Sequence, residues 1–137
     1  MDKLDYIPKT NIKMIHKNNS YNFGIDSILL LDFAKMKRYK KLVDIGSGSG
    51  ILSLGANAIE IQKEKADLLN ENLDLNKIEN IDVINKDLNK VNLGVNNIDY
   101  IITNPPYYKI NDNIENKNEE FLISRQEKYL TLENIFD

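Results

Sequence analysis

The chain has 137 residues, 42% apolar and 28% charged, which fits one folded domain and excludes extended disorder. It has no cysteine, so disulfide frameworks, thiolate metal sites and cysteine nucleophiles are excluded. No stretch approaches the roughly 20 apolar residues that cross a bilayer, and Met1-Asp2-Lys3-Leu4-Asp5 does not read as a secretion signal; a soluble, cytoplasmic protein with no membrane partner is expected.

The net charge of −3 is unevenly distributed. Residues 1–41 carry nine Lys/Arg and four Asp/Glu, giving +5; residues 42–137 carry nine and seventeen, giving −8. Lys35, Lys37, Arg38, Lys40 and Lys41 form the densest basic run. Solvated cations at a helix C-terminus account for such a run, and a phosphate-contacting patch is the alternative.

In chain order, residues 12–16 and 21–23 read as short strands around the turn-forming Lys17-Asn18-Asn19-Ser20. A helix is expected from Asp26, with Leu29, Phe33 and Met36 on one inward face. Lys41-Leu42-Val43-Asp44-Ile45 is a strand running into Gly46-Ser47-Gly48-Ser49-Gly50. A second strand fits residues 58–61, followed by a helix over 63–75 with Ala66, Leu69 and Leu73 inward. Residues 81–85 and 98–103 are third and fourth strands. Polar residues 108–120 read as a loop, and a further helix is expected over about 118–129. Strands alternating with crossovers predict an α/β fold with a parallel sheet. Residues 1–40 form a hairpin and helix leading into a core over 41–137. The segment around Leu52-Ser53-Leu54 is several residues shorter than parallel crossovers usually need, so residues are expected to be missing there, a true deletion being the alternative.

Four segments carry chemistry. Asp44, Gly46, Ser47, Gly48 and Gly50 make a Gly-x-Gly-x-Gly turn with an acid two residues upstream. Glycines let the backbone turn sharply and approach a ligand closely. The spacing differs from the dinucleotide fingerprint and lacks the phosphate-binding lysine, which suits a ligand carrying an amino acid rather than a pyrophosphate. An ordinary strand-to-helix turn is the plainer reading. Glu60, at the end of the second strand beside Ile61, is placed to accept ribose hydroxyls. Asp87, followed by Leu88 just past the third strand, is placed to meet the exocyclic amine of an adenine. A solvated acid at a strand end is the alternative for each.

Asn104-Pro105-Pro106-Tyr107 is the most specific segment. Two prolines lock φ and remove two amide donors, so the chain leaves its strand in one rigid shape. The Asn104 amide oxygen and the Pro105 carbonyl can accept both hydrogens of a planar amine, freeing the nitrogen lone pair, while Tyr107 stacks on the amine's plane. A proline-stiffened turn capping a strand is the competing explanation.

With these residues the chain resembles the class I methyltransferases that carry an Asn-Pro-Pro-Tyr site. More closely, it is similar to the bacterial tRNA adenine-N6 methyltransferases that modify the adenine 3′ to the anticodon of a valine tRNA. Phe23-Gly24-Ile25-Asp26-Ser27-Ile28-Leu29-Leu30 resembles the family's segment before the first strand, and Ser124-Arg125-Gln126-Glu127 with Thr131-Leu132 the segment after the catalytic loop. The resemblance implies a Rossmann-like sheet with helices on both faces and S-adenosyl-L-methionine as cofactor, with no metal. It implies that Asp44 and the glycine turn hold the methionine part, with Gly24 and Asp26 near it, Glu60 the ribose and Asp87 the adenine, that Ile61, Leu88 and Asn104 also contact the cofactor, and that Asn104 to Tyr107 hold the target amine. The family sheet has seven strands and this chain supplies four, so the C-terminal strands are expected to be absent. The implied reaction is direct transfer to the N6 amine of an adenine in tRNA, without a covalent enzyme intermediate. Alternatives are a protein glutamine methyltransferase, another nucleic-acid amino-methyltransferase, and a non-catalytic binding fragment. His16, the single histidine, stands apart from other ligand types, so a packing or surface role is expected.

Overall fold

The computed structural model describes residues 2–8, 10–17, 24–34, 41–53, 57–92, 98–105, 130–131, 133 and 135. Strands β1 (Lys3–Tyr6) and β2 (Lys13–His16) form an antiparallel hairpin with Lys3 opposite His16. The strand expected over 12–16 forms at 13–16 and pairs back to 3–6, while residues 21–23, expected as its partner, lie outside the described residues. Thr10 closes the turn, its hydroxyl donating to Ile7 O at 2.9 Å.

Helix α1 (Ile25–Ala34) follows, and its inward face corrects the sequence expectation. Leu29 and Phe33 do share a face, but it is the outer one, 62% and 82% exposed. Ile28, Leu30 and Leu31 turn inward instead, against Ile7, Met14, Leu42, Ile51, Leu52 and Ile102. Apart from Asp26, Ser27 and Asp32 every position of α1 is apolar, so periodicity in it does not identify the buried side. Met36 lies outside the described residues.

The core is one parallel sheet of β3 (Leu42–Ile45), β4 (Asn57–Glu60), β5 (Val83–Asn85) and β6 (Tyr100–Thr103), in spatial order β5-β4-β3-β6. The α/β expectation and all four strands hold, with boundaries shifted by up to two residues. Side-chain alternation separates the two faces. Val43, Ile45 and Ile59 point to one, packed by Ile84, Leu88, Val91, Ile98 and Leu130. Leu42, Ala58 and Ile102 point to the other, where α1 and α2 (Lys63–Leu75) lie. α2 forms over the residues expected, burying Ala66, Leu69 and Leu73, and it ends with Lys77 at φ 55° and Ile78 N bonded to Leu73 O. Burying each such leucine stabilises by roughly 2 kcal/mol.

Despite the short connection, β3 and β4 pair in parallel through residues 46–56, of which 54–56 lie outside the described residues. Its described part, 46–53, is built of tight turns: Gly50 N bonds Ser47 O and Ser53 N bonds Gly50 O, and Ile51 and Leu52 are buried in the core. Gly50 has φ +92°, and a Cβ there would collide with Leu69 of α2. A glycine is therefore required for the turn and the helix to share that space. β6 is an edge of the sheet among the described residues, with Tyr100 and Ile101 about half exposed. Among the described residues no helix is long and apolar enough to cross a membrane. The helix expected over about 118–129 falls outside them.

Candidate functional site

Parallel strands all present their carboxyl ends to one side, and the crevice above adjacent ends is where such sheets bind ligands. Here β3 ends in the glycine turn, β4 in Glu60, β5 just before Asp87 and β6 just before Asn104. The topology thus gathers the four sequence segments at one rim.

Asp44 points to the helix-bearing face, below the glycine turn, and is fully buried. Ser53 Oγ donates to its Oδ2 at 2.6 Å, while Oδ1 has no hydrogen-bond partner among the described residues. Burial pushes the carboxyl up to about 7, against the hydrogen bond from Ser53 and with the nearby Glu60 charge adding to the rise. Ser47 Oγ is a second buried atom without a hydrogen bond. Buried orphans of this kind are costly, and a cationic, polar ligand group at the turn would relieve both. Gly46, Gly48 and Gly50 all adopt positive φ, and Gly46 N and Ser47 N both bond Ile59 O.

Glu60 is only 4% exposed and already engaged. Its Oε2 accepts from Gly48 N and its Oε1 from Gln62 N, both at 2.8 Å. Burial raises its carboxyl, opposed by those backbone N–H groups and by Lys65. Glu60 therefore braces the glycine turn as well as facing the crevice, and each carboxylate oxygen keeps a lone pair for a further donor. Asn85 Nδ2 reaches Glu60 O and Ile61 O, fixing the strand end beneath it.

A cleft opens beside Glu60, walled by Ile45, Ile59, Ile61 and Leu88 and edged by Asp87 and Lys86. Asp87 Oδ1 caps the 3-10 turn Leu88–Lys90 by accepting from Asn89 N at 3.0 Å. Leu130 closes the cleft, with Cδ2 only 3.1 Å from where a Gly46 Cβ would stand. Apolar walls with acids at the edge suit a planar heterocycle whose amine and sugar hydroxyls need acceptors.

Asn104 lies at the opposite corner. Thr103 Oγ1 donates to Ile45 O at 2.8 Å, tying the end of β6 to the end of β3. Asn104 Nδ2 then donates to Asp26 Oδ2 and to Ser27 Oγ, both at 2.9 Å. Asp26 was expected beside the methionine part of a cofactor, and the structure brings it to Asn104. Pro105 follows, half-buried, whereas Pro106, Tyr107 and Tyr108 lie outside the described residues.

Sequence reasoning passed over Ser27, Ser53 and Asn72. Asn72 is 1% exposed, donates to Ser49 O at 3.2 Å and accepts from Ile15 N at 2.6 Å, linking the glycine turn to the hairpin. A polar residue within the inward stripe of Leu69 and Leu73 was the available signal. His16 is buried, 3.4 Å from Asp5; burial lowers its pKa most, with Asp5 raising it and Lys65 lowering it further.

A family model described as methyltransferase small domain matches residues 19–133. A relative called tRNA1(Val) (adenine(37)-N6)-methyltransferase, from Escherichia coli O157:H7, is 33% identical over 106 residues, covering 69% of this chain and 43% of that protein. The chain thus spans less than half the length of that relative. Among solved structures, TYW2 of Pyrococcus horikoshii in complex with MeSAdo matches with a TM-score of 0.62 and 25% identity, over 80% of this chain and 43% of that one. TYW2 of M. jannaschii in complex with AdoMet matches at 0.58 and 18%, over 66% of this chain and 45% of that one, a likeness of fold. Together with the parallel sheet and the glycine turn at its rim, the match over residues 19–133 establishes that the chain belongs to the methyltransferase small domain family.

Proposed function

We propose that the chain is the S-adenosylmethionine-binding core of an amino-methyltransferase whose acceptor is the N6 amine of an adenine in tRNA. One observation carries the reading: Asn104, at the end of the strand beside the glycine turn, has its amide nitrogen bonded to two neighbours, so its oxygen is the group it can offer an incoming amine. The relative's name supplies the class of acceptor.

When bound, S-adenosylmethionine supplies a methyl group on a cationic sulfur. The chain's residues fit that group. Asp44 Oδ1 and Ser47 Oγ, buried and lacking hydrogen bonds, suit its ammonium and carboxylate ends. An ammonium near Asp44 favours the charged carboxylate, lowering a group that otherwise titrates at about 7. Glu60 would accept from the ribose, and Asp87 with Leu88 would meet the adenine in the apolar cleft they line.

At the other corner, Asn104 Oδ1 and the Pro105 carbonyl accept the two hydrogens of the acceptor amine. Holding both rotates the lone pair out of the aromatic ring's conjugation and aims it. These acceptors are fixed before the substrate arrives, so little reorganisation is needed. The acceptor base must leave its stack, which costs roughly a few kcal/mol and less in an exposed loop. A glutamine amide presents the same two hydrogens and is the second reading.

The test is incubation with methyl-labelled S-adenosylmethionine and unmodified bulk tRNA, followed by nucleoside analysis. N6-methyladenosine is the expected product. Label in protein but not in nuclease-digestible material would replace the tRNA reading with the protein one.

A further inference from the structure

We propose that Asp26 and Ser27, in the first turn of α1, are positioning residues that fix which way the Asn104 side chain faces; the inference rests on the amine-accepting role of Asn104.

The terminal torsion of an asparagine is soft and nearly two-fold, so the amide can rotate and exchange its oxygen for its nitrogen at little cost. Only one of the two orientations can accept hydrogens from an amine. Something must choose between them, and the strand that carries Asn104 does not. The choice is made by residues far away in sequence: Nδ2 is 2.9 Å from Asp26 Oδ2 and 2.9 Å from Ser27 Oγ.

The two partners are not equivalent. An ionised carboxylate can only accept, so it bonds the amide nitrogen and repels the amide oxygen. A hydroxyl donates or accepts, and satisfies either orientation. Asp26 therefore dictates the orientation, and Ser27, buried beneath it, completes the pair of acceptors. With both N–H groups committed, Oδ1 is what the side chain has left. The bond to a charged acceptor also polarises the amide and makes that oxygen a better acceptor.

Gly24 belongs to the same device. The Asp26 carboxylate folds back over it, and a Cβ at position 24 would collide with Asp26 Oδ1 and stand 3.2 Å from Cγ. The side-chain-free position makes room for the carboxylate in the pose that reaches Asn104.

The decisive variant is Asp26→Asn, which keeps the shape and removes the acceptor-only character. Its kcat is expected to fall by about tenfold or more, as misaimed catalytic groups do, while affinity for S-adenosylmethionine stays within about threefold. Ser27→Ala, milder for folding, is expected to lower kcat by about threefold through loss of one neutral hydrogen bond. In an Asn104→Ala background neither change should cost more, since the residue they position is gone. A tenfold loss of cofactor affinity with kcat unchanged would overturn the proposal and make Asp26 a cofactor contact. Unchanged kcat and affinity would overturn it as well.

A readout free of turnover separates this inference from the proposed activity. In the chain without substrate, the Asn104 side-chain amide hydrogens should exchange slowly by nitrogen-resolved NMR, and faster in Asp26→Asn. Fast exchange in the unaltered chain would sink the positioning role even if N6-methyladenosine is made. Slow exchange without any RNA product would leave the clamp standing and remove the tRNA reading.

Discussion

The two corners of the crevice are built in opposite ways. At the glycine turn, the groups that hold one another are close in sequence: Ser53 bonds Asp44, and Glu60 bonds Gly48 and Gln62. At the other corner, Asn104 is held by Asp26 and Ser27, across 78 and 77 residues. The first corner is a local motif that stiffens itself. The second exists only once α1 has docked on the sheet, so its geometry is a property of the whole fold.

That difference can be broken at three points, beginning where the effect is largest. Asn72 is the long-range tie of the otherwise local corner, buried between Ser49 and Ile15. Asn72→Ala strips partners from buried backbone groups and should destabilise the chain by about 3 kcal/mol, read as a lowered urea midpoint. An unchanged midpoint would mean the glycine turn stands without the hairpin. Glu60→Ala removes the acceptor of two backbone amides, and cofactor affinity should fall by about tenfold or more in a calorimetric titration, because charged hydrogen bonds each contribute about 1.5–3 kcal/mol. Affinity equal to the parent would show that the turn keeps its shape unaided.

The third concerns protons. Asp44 is raised to about 7 from 3.8, and Glu60 is raised too, so the folded chain binds protons that the unfolded chain has released. Stability without cofactor should fall as pH rises from about 4 to about 7, by at most about 1.4 kcal/mol per pH unit for Asp44. Below that window Asp44 is protonated in both states and above it ionised in both, so its share of the slope vanishes. Asp44→Asn should make the slope shallower, as followed by urea midpoints at a series of pH values. A slope unchanged by the substitution would assign it to other groups.

What the sequence disclosed follows the same division. The four strands, α2 and the glycine turn rest on short-range patterns, and these were legible from Leu42 to Thr103. The partner of 13–16 was not: Lys3-Leu4-Asp5-Tyr6 alternates polar with apolar, but it is only four residues long and exposed throughout, so the alternation marks no buried face. The buried side of α1 was not either, since Leu29 and Phe33 repeat as regularly as Ile28 and Leu31 do. Asp26 was noticed for its segment but assigned to the cofactor; its bond to Asn104 depends on docking that spacing does not encode. Asp44 and Glu60 were read as ligand contacts, and the structure adds that Glu60 first serves the turn itself.

The central claim is that one corner binds and the other transfers. Asn104→Ala tests it most directly, by titrating S-adenosylmethionine into the variant and measuring methyl transfer from the same preparation. Affinity is expected to stay within about threefold of the parent chain, with transfer reduced at least about a hundredfold, as when a preorganised acceptor is lost. Affinity falling in step with transfer would contradict it, and would make Asn104 part of the cofactor site rather than the group that receives the amine.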